Sequence, residues 1–134
     1  MRTDSAARAP TRTALVVDDE REVRGVLRRY FERSGWDVRE AETAEQALDL
    51  LGETSTPFDL VLCDLHLPGL SGSALCARVA ALRPELASRF VLTSGDPGAA
   101  ADELARASLI CPILEKPFSL VAIQLVLSGA LVAA

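Results

Sequence analysis

Five short apolar segments alternate with five segments of helical periodicity, and this alternation constrains the fold more than any other feature of the sequence. Each apolar segment stops at an acid or a serine, as expected where a buried strand meets its loop. The predicted strands are 14–17, 36–41, 60–63, 90–93 and 110–114, and the predicted helices are 23–31, 44–51, 73–82, 99–107 and the segment from Ser119 onward. Such units predict an α/β fold with a parallel sheet covered by helices on both faces.

Composition limits the chain to one domain and excludes some partners. With 134 residues, 49% of them hydrophobic, the chain supplies one core, which we assign to residues 13–134 after a disordered leader at 1–12. The net charge of −5 argues against non-specific binding to nucleic acid or to an anionic membrane. The three cysteines lack metal-ligand spacing, which indicates reduced core thiols in a cytoplasmic protein.

Polar residues follow four of the predicted strands at the edge where parallel strands end. They are Asp18 and Asp19, Asp64, Ser94, and Lys116. Clustered carboxylates repel one another unless a cation neutralises them, and an all-oxygen set suits Mg²⁺. A carboxylate nucleophile, a metal, a lysine and a hydroxyl together are typical of phosphoryl transfer.

Four motifs carry these residues: LVVDDE, LVLCDLHLPGLSG, LTSG and EKPF. In this order and spacing they resemble the four signatures of the response-regulator receiver domain, over about residues 14–127. The resemblance implies a flavodoxin-like (βα)5 sandwich of three layers with strand order 2-1-3-4-5. It further implies a cytoplasmic phosphoprotein of two-component signal transduction that is not an enzyme in its own right. A histidine kinase or phosphotransfer protein would phosphorylate it, and an unknown downstream protein would read the result.

The resemblance also assigns roles to residues. Asp64 corresponds to the phosphoacceptor. Asp18, Asp19 and the backbone carbonyl of His66 correspond to the other Mg²⁺ ligands. Lys116 corresponds to the lysine that pairs first with the acceptor and then with the phosphoryl oxygens, and its bond to Pro117 is expected to be cis.

The switch hydroxyl is assigned to Ser94, with Thr93 as the alternative. The family separates acceptor, switch and lysine by about 30 and then 22 positions, which Ser94 matches. The side chains of His66 and Asp96 occupy positions that modulate the rate of aspartyl phosphate hydrolysis. Ile113 stands where the family usually has an aromatic residue, so the usual coupling between hydroxyl and ring is in doubt.

The closing segment SLVAIQLVLSGALVAA is unusual because Gln124 and two serines are nearly its only polar residues. A helix that is apolar on all sides is normally buried, and a run of about 15 residues is too short to span a bilayer. We predict either that a second copy or a partner protein covers its outer face, or that it is a poorly ordered tail.

Two other functions are considered for the same residues. A phosphohydrolase of the haloacid-dehalogenase type also uses an aspartate nucleophile and Mg²⁺, but it needs an aspartate two residues further on, where this chain has His66. A pseudo-receiver would act as an unphosphorylated binding or dimerisation module. Such proteins usually lose the acceptor, the acid pair or the lysine, and this chain has all of them.

Overall fold

The computed structural model describes residues 11–53 and 56–128, and in this part of the chain strands and helices alternate as predicted. The strands are β1 (Thr13–Val17), β2 (Asp37–Ala41), β3 (Leu60–Asp64), β4 (Phe90–Ser94) and β5 (Ile113–Glu115). The helices are α1 (Arg21–Arg33), α2 (Ala44–Leu51), α3 (Gly72–Leu82), α4 (Pro97–Arg106) and α5 (Leu120–Leu127), and a short 3₁₀ helix (Pro84–Arg89) precedes β4.

All five strands form one parallel sheet in the order β2-β1-β3-β4-β5. The predicted flavodoxin-like order 2-1-3-4-5 is therefore confirmed. Strand β2 lies at one edge of this sheet, where the side chains of Asp37 and Arg39 are exposed. Because β1 and β3 are neighbours near the centre, the residues that follow them meet at the carboxyl edge of the sheet.

The sheet separates two apolar cores, as the period of two along each strand requires. Leu15 and Val17 belong to the core beneath α2, α3 and α4, whereas Ala14 and Val16 belong to the core beneath α1 and α5. In the second core, the rings of Phe31 and Trp36 pack edge to face with centroids 5.4 Å apart. Each core lies between the sheet and one layer of helices, so the fold is a three-layer sandwich with the sheet in the middle.

Local signals set several helix ends. Thr43 accepts a hydrogen bond from the backbone N–H of Gln46 at 3.1 Å, which is one of the two hydrogen bonds of a capping box. The Gln46 side chain, however, accepts from the N–H of Glu42 rather than from that of Thr43. Gly35 follows α1 with φ +89°, in the left-handed region that favours glycine after a helix.

Most elements differ from the predicted ranges by one to three residues at one end or both, and three of these differences have a clear local cause. Strand β5 begins at Ile113 rather than at Ile110, because Pro112 has no N–H to donate and Ile110 is fully exposed. Helix α4 begins two residues early, at Pro97, since Asp96 caps it by accepting from the N–H of Ala99. Helix α3 begins at Gly72, because the Ser71 hydroxyl caps its first turn.

Helix α5 has one buried face and one exposed apolar face. Ile123 and Val126 are buried against the sheet, whereas Val121 is 66% exposed and Leu125 is 44% exposed. The outer face of this helix is thus apolar, and the prediction that a second copy or a partner protein covers it stays a prediction. Residues 129–134, the end of the predicted segment, and residues 1–10 of the predicted leader lie outside the described residues.

No helix in 11–53 and 56–128 has the length and hydropathy needed to cross a membrane.

The cysteines of the described chain are all free thiols. Cys63 and Cys76 are buried, and Cys111 is half-buried against the same core. Burial raises the pKa of the Cys63 thiol, so this group stays protonated near neutral pH.

Candidate functional site

Three carboxylates meet where β1 and β3 end. Val17 and Cys63 are partners in the sheet, so the next residues, Asp18 and Asp64, leave the two strands side by side. One oxygen from each of Asp18, Asp19 and Asp64 lies within 4.8 Å of the others. Asp18 and Asp64 are almost fully buried, at 2% and 6% exposure, whereas Asp19 is exposed. The predicted acidic cluster is therefore present, open to solvent on the side of Asp19.

Lys116 reaches this cluster from β5, on the far side of β4. Its Nζ donates to Asp18 Oδ2 at 2.9 Å and to Asp64 Oδ2 at 3.2 Å. Burial lowers the pKa of Lys116, but its hydrogen bonds and charge interactions with the two aspartates outweigh burial and leave the pKa above its ordinary value. The ammonium thus stays charged and neutralises carboxylates that would otherwise repel one another.

Backbone amides fix the other oxygens of the two buried carboxylates. The N–H of His66 donates to Asp64 Oδ1 at 3.1 Å, and the N–H of Glu20 donates to Asp18 Oδ1 at 2.8 Å. The side chain of His66 is exposed. Lys116 itself is held by its N–H, which donates to the carbonyl of Ser94 at 2.8 Å, and its bond to Pro117 is cis. Each oxygen of Asp18 and Asp64 consequently has a fixed donor and direction.

The hydroxyls of Thr93 and Ser94 lie in different surroundings. Thr93 is the register partner of Asp64, so both side chains project from the same side of the sheet. The Thr93 hydroxyl is buried and has no hydrogen-bond partner among the residues that the structure describes. The Ser94 Oγ accepts from the N–H of Asp96 at 3.0 Å and donates to its carbonyl at 3.1 Å. The structure therefore brings Thr93 beside Asp64 and ties Ser94 to the loop before α4.

The other two predicted positions have mainly structural contacts. The carboxylate of Asp96 caps α4 through the N–H of Ala99 at 3.0 Å, and the residue is exposed. Ile113 is half-buried and packs against the core beneath α4, next to its strand partner Leu92. Neither side chain makes a hydrogen bond or ion pair with the three carboxylates.

Two residues that support the site were not predicted from the sequence. Arg24 donates from Nη1 to the carbonyl of Asp18 at 2.7 Å. In the sequence, nothing distinguishes it from the other charged residues of α1. Gly72 lies so close behind Asp64 that an added Cβ would stand 2.8 Å from the Cα of Leu65 and closer still to the Asp64 carbonyl oxygen. Nothing in the sequence near Gly72 indicates this close approach of α3 to the end of β3.

A mostly apolar cavity of about 540 Å³ lies next to the site, between α1 and the segment from β5 to α5. Its walls include Val23, Val26, Tyr30, Lys116, Phe118 and Ile123. Lys116 is common to the cavity and the acidic cluster.

The fold and the site together define a class: a parallel (βα)5 sandwich with an acid triad and a lysine at the carboxyl edge of its sheet. The model of the response regulator receiver domain matches residues 14–127, and the chain belongs to that family. It is a receiver domain of the kind found in two-component systems.

Part of the chain is also similar in sequence to individual curated proteins. The chain is 40% identical over 65 residues to the transcriptional regulatory protein ResD of Bacillus subtilis, an alignment that covers 48% of this chain and 26% of ResD. The matched part is 26% or less of the length of this relative and of three other curated relatives, so these four proteins are much longer than this chain.

Two solved structures illustrate the likeness. The chemotaxis response regulator CheY4 of Vibrio cholerae is similar in fold, with a TM-score of 0.78 at 19% identity over 91% of this chain and 100% of that one. A response regulator from Burkholderia pseudomallei, solved with a phosphorylated aspartic acid, calcium ion and citrate, gives a TM-score of 0.72 at 30% identity over 89% of this chain and 68% of that one.

Proposed function

We propose that Asp64 accepts a phosphoryl group from a histidine kinase or a phosphotransfer protein, in a Mg²⁺-dependent reaction that switches a protein-interaction face. One observation carries the proposal: the Lys116 ammonium lies between the carboxylates of Asp18 and Asp64, with Asp19 completing the cluster. This arrangement holds a carboxylate nucleophile, a metal-binding acid pair and a phosphate-binding cation within one small volume.

The donor atoms support Mg²⁺ as the metal. The cluster offers only oxygen ligands, and its exposed side leaves room for water and phosphate oxygens, which Mg²⁺ retains in protein sites. Asp18, Asp19, Asp64 and the carbonyl of His66 would hold the ion. When bound, it would neutralise charge on the phosphoryl oxygens during transfer. Lys116 then need not neutralise the acids alone and becomes free to bind the phosphoryl group.

In the transfer step, an oxygen of Asp64 attacks the phosphorus of a phosphohistidine. The new O–P bond forms as the P–N bond breaks, and the departing imidazole keeps the electron pair of that bond. Lys116 binds a developing negative oxygen, since its ammonium already lies 3.2 Å from Asp64 Oδ2. The B. pseudomallei regulator, with its phosphorylated aspartic acid, supports the same acceptor chemistry here.

The switch depends on one of the two hydroxyls at the end of β4. We assign it to Ser94, which would leave its contacts with Asp96 to bind a phosphoryl oxygen, while Thr93 remains the alternative. Such a change shifts an equilibrium between two conformations of the surface near α4 and β5. Ile113 has no ring to relocate there, so the readout would differ from that of receivers with an aromatic residue at this position. The side chains of His66 and Asp96 would adjust the lifetime of the phosphoryl group.

The wider setting is part of the proposal. The chain would turn over no external substrate, because the product stays bound to Asp64. The free thiols favour the reducing cytoplasm. The exposed apolar face of α5 would bind a second copy of the chain or an unknown downstream protein.

Intact mass after incubation with acetyl phosphate and Mg²⁺ tests the acceptor. We expect wild type to gain one phosphoryl group and Asp64→Asn to gain none. Asp59→Asn is the matched control, because Asp59 lies just before β3 and caps the N–H of Thr13 away from the site, and this variant should be phosphorylated normally. No adduct on wild type at any Mg²⁺ concentration would instead favour the unphosphorylated pseudo-receiver.

Sedimentation tests the interface on α5. If α5 joins two copies, Val121→Glu should remove a concentration-dependent dimer, whereas Ile110→Glu, a fully exposed residue before β5, should leave it unchanged. Wild type that stays monomeric over a wide concentration range, with or without phosphorylation, would refute the self-association.

A further inference from the structure

Asp18 is fixed through all of its polar groups, each by a different part of the chain. Its N–H donates to the carbonyl of Ala41 at 3.1 Å, and its two carboxylate oxygens accept from the N–H of Glu20 and from Lys116. Its carbonyl accepts from Arg24 Nη1 at 2.7 Å. Arg24 is thus the only side chain, within the described chain, that holds the Asp18 backbone.

Arg24 is itself held by Glu40 of β2. Its Nε donates to Glu40 Oε1 at 2.9 Å, and its side chain is only 12% exposed. Because Glu40 is the strand partner of Val16, two residues before Asp18, the guanidinium joins β2 to the end of β1. A planar guanidinium can serve both acceptors at once with little freedom to move.

Arg28 provides a natural comparison one turn further along α1. Its Nε pairs with the other oxygen of the same Glu40, and its remaining nitrogens donate to Glu32 and to the carbonyl of Val38. Asp18 is not among its hydrogen-bond or ion-pair partners in the part of the chain that the structure describes. Arg24 and Arg28 therefore lie on the same helix, pair with Glu40 and carry the same charge. They differ because Arg24 also holds the backbone of Asp18.

We infer that Arg24 is a positioning residue for the metal site: by clamping the Asp18 carbonyl to Glu40, it holds Asp18 and Asp19 in the geometry that binds Mg²⁺. This inference rests on the proposed function, because it concerns the affinity of the same site for its metal. Substitution of a group that orients a metal ligand typically weakens metal binding 10- to 100-fold. Mg²⁺ is especially sensitive, since it demands near-ideal octahedral geometry.

The test compares Arg24→Lys with Arg28→Lys, both of which keep the net charge and remove a guanidinium. Mg²⁺ is titrated into each protein without phosphodonor, and the dissociation constant is read from the amide signals of the β1–α1 loop by NMR. We expect Arg24→Lys to bind Mg²⁺ about 10-fold more weakly, and Arg28→Lys to stay within about twofold of wild type. Urea denaturation without metal shows whether the two variants are equally folded.

Either of two results would overturn the inference: Mg²⁺ affinity in Arg24→Lys equal to that of wild type, or equal weakening in both variants, which would indicate general loosening of α1. If Arg24→Lys does not fold, Glu40→Gln loosens the same clamp by removing its charged anchor, and an unchanged affinity there would refute the idea. Failure of wild type to bind Mg²⁺ would instead refute the proposed metal site, and the inference with it.

Discussion

Gly72 packs against the backbone of Asp64 and Leu65, so a single added methyl group there should disturb the site. It is the first residue of α3, and its N–H donates to the carbonyl of Leu65 at 2.8 Å. A Cβ at this position would stand 2.8 Å from the Cα of Leu65 and 3.1 Å from the carbonyl carbon of Asp64. These are backbone atoms, so no side-chain rotation can relieve the contact.

The cost of Gly72→Ala follows from this geometry. Ordinary contacts of a Cβ begin near 3.4 Å, so α3 and the end of β3 must separate by more than half an ångström. Overpacking of this kind costs about 1–3 kcal/mol, and because the atoms in contact belong to the backbone, the cost here should be about 3 kcal/mol. Alanine recovers up to about 1 kcal/mol of helix preference. The net loss is about 2 kcal/mol in the free energy of unfolding, or about 6–10 °C in Tm.

Gly25→Ala is the matched control, and urea denaturation of both variants is the assay. Gly25 lies inside α1, and a Cβ there meets nothing within 4 Å. The same substitution should therefore raise stability by roughly 0.5–1 kcal/mol. Opposite signs at the two glycines are the expected result. A Gly72→Ala protein as stable as wild type would refute the conclusion that α3 packs directly on the backbone of Asp64 and Leu65.

The remaining predictions concern single groups in the site. Thr93→Val should raise stability by about 1 kcal/mol in urea denaturation, because it removes a buried hydroxyl without a partner among the described residues; a destabilised variant would contradict this. Lys116→Met should lower stability by about 2 kcal/mol without Mg²⁺, since it leaves Asp18 and Asp64 unpaired, and Mg²⁺ should restore part of the loss. As the pKa of Lys116 is raised in the folded protein, this difference from wild type should be complete below about pH 10.5 and shrink as pH rises further. His66→Ala should change the rate of dephosphorylation more than that of phosphorylation, measured with acetyl phosphate; equal lifetimes of the phosphoryl group would argue against a role for the imidazole.

Much of the fold could be predicted from sequence because its strands are short, apolar and separated by clear helix signals. The run before Asp64 is buried at every position, as its composition predicts. Boundaries were harder where local chemistry and pattern compete. The apolar residues from Ile110 suggested a strand, but Pro112 cannot donate to a sheet, so β5 is only three residues long.

The residues that form the site could be predicted from the sequence, but the residues that hold them in place could not. Asp18, Asp64 and Lys116 follow strands, and topology alone brings the ends of those strands together. The clamp from Arg24 to Glu40 depends on which face of α1 lies over β2, and charged helix residues carry no sign of this. The apolar outer side of α5, in contrast, could be predicted, because the segment has too few polar residues to form a polar face.

The contact between Ser94 and Asp96 joins the chemistry of the site to the start of a helix. With Ser94 assigned as the switch, its hydroxyl cannot turn to a phosphoryl oxygen without leaving the N–H and carbonyl of Asp96, and Asp96 is the cap of α4. Rotation of the Ser94 side chain would thus break two hydrogen bonds that hold Asp96 and loosen the first turn of α4. Such a signal needs no aromatic ring. In this chain, which has Ile113 at the position of the usual ring, the change at the start of α4 would itself carry the signal.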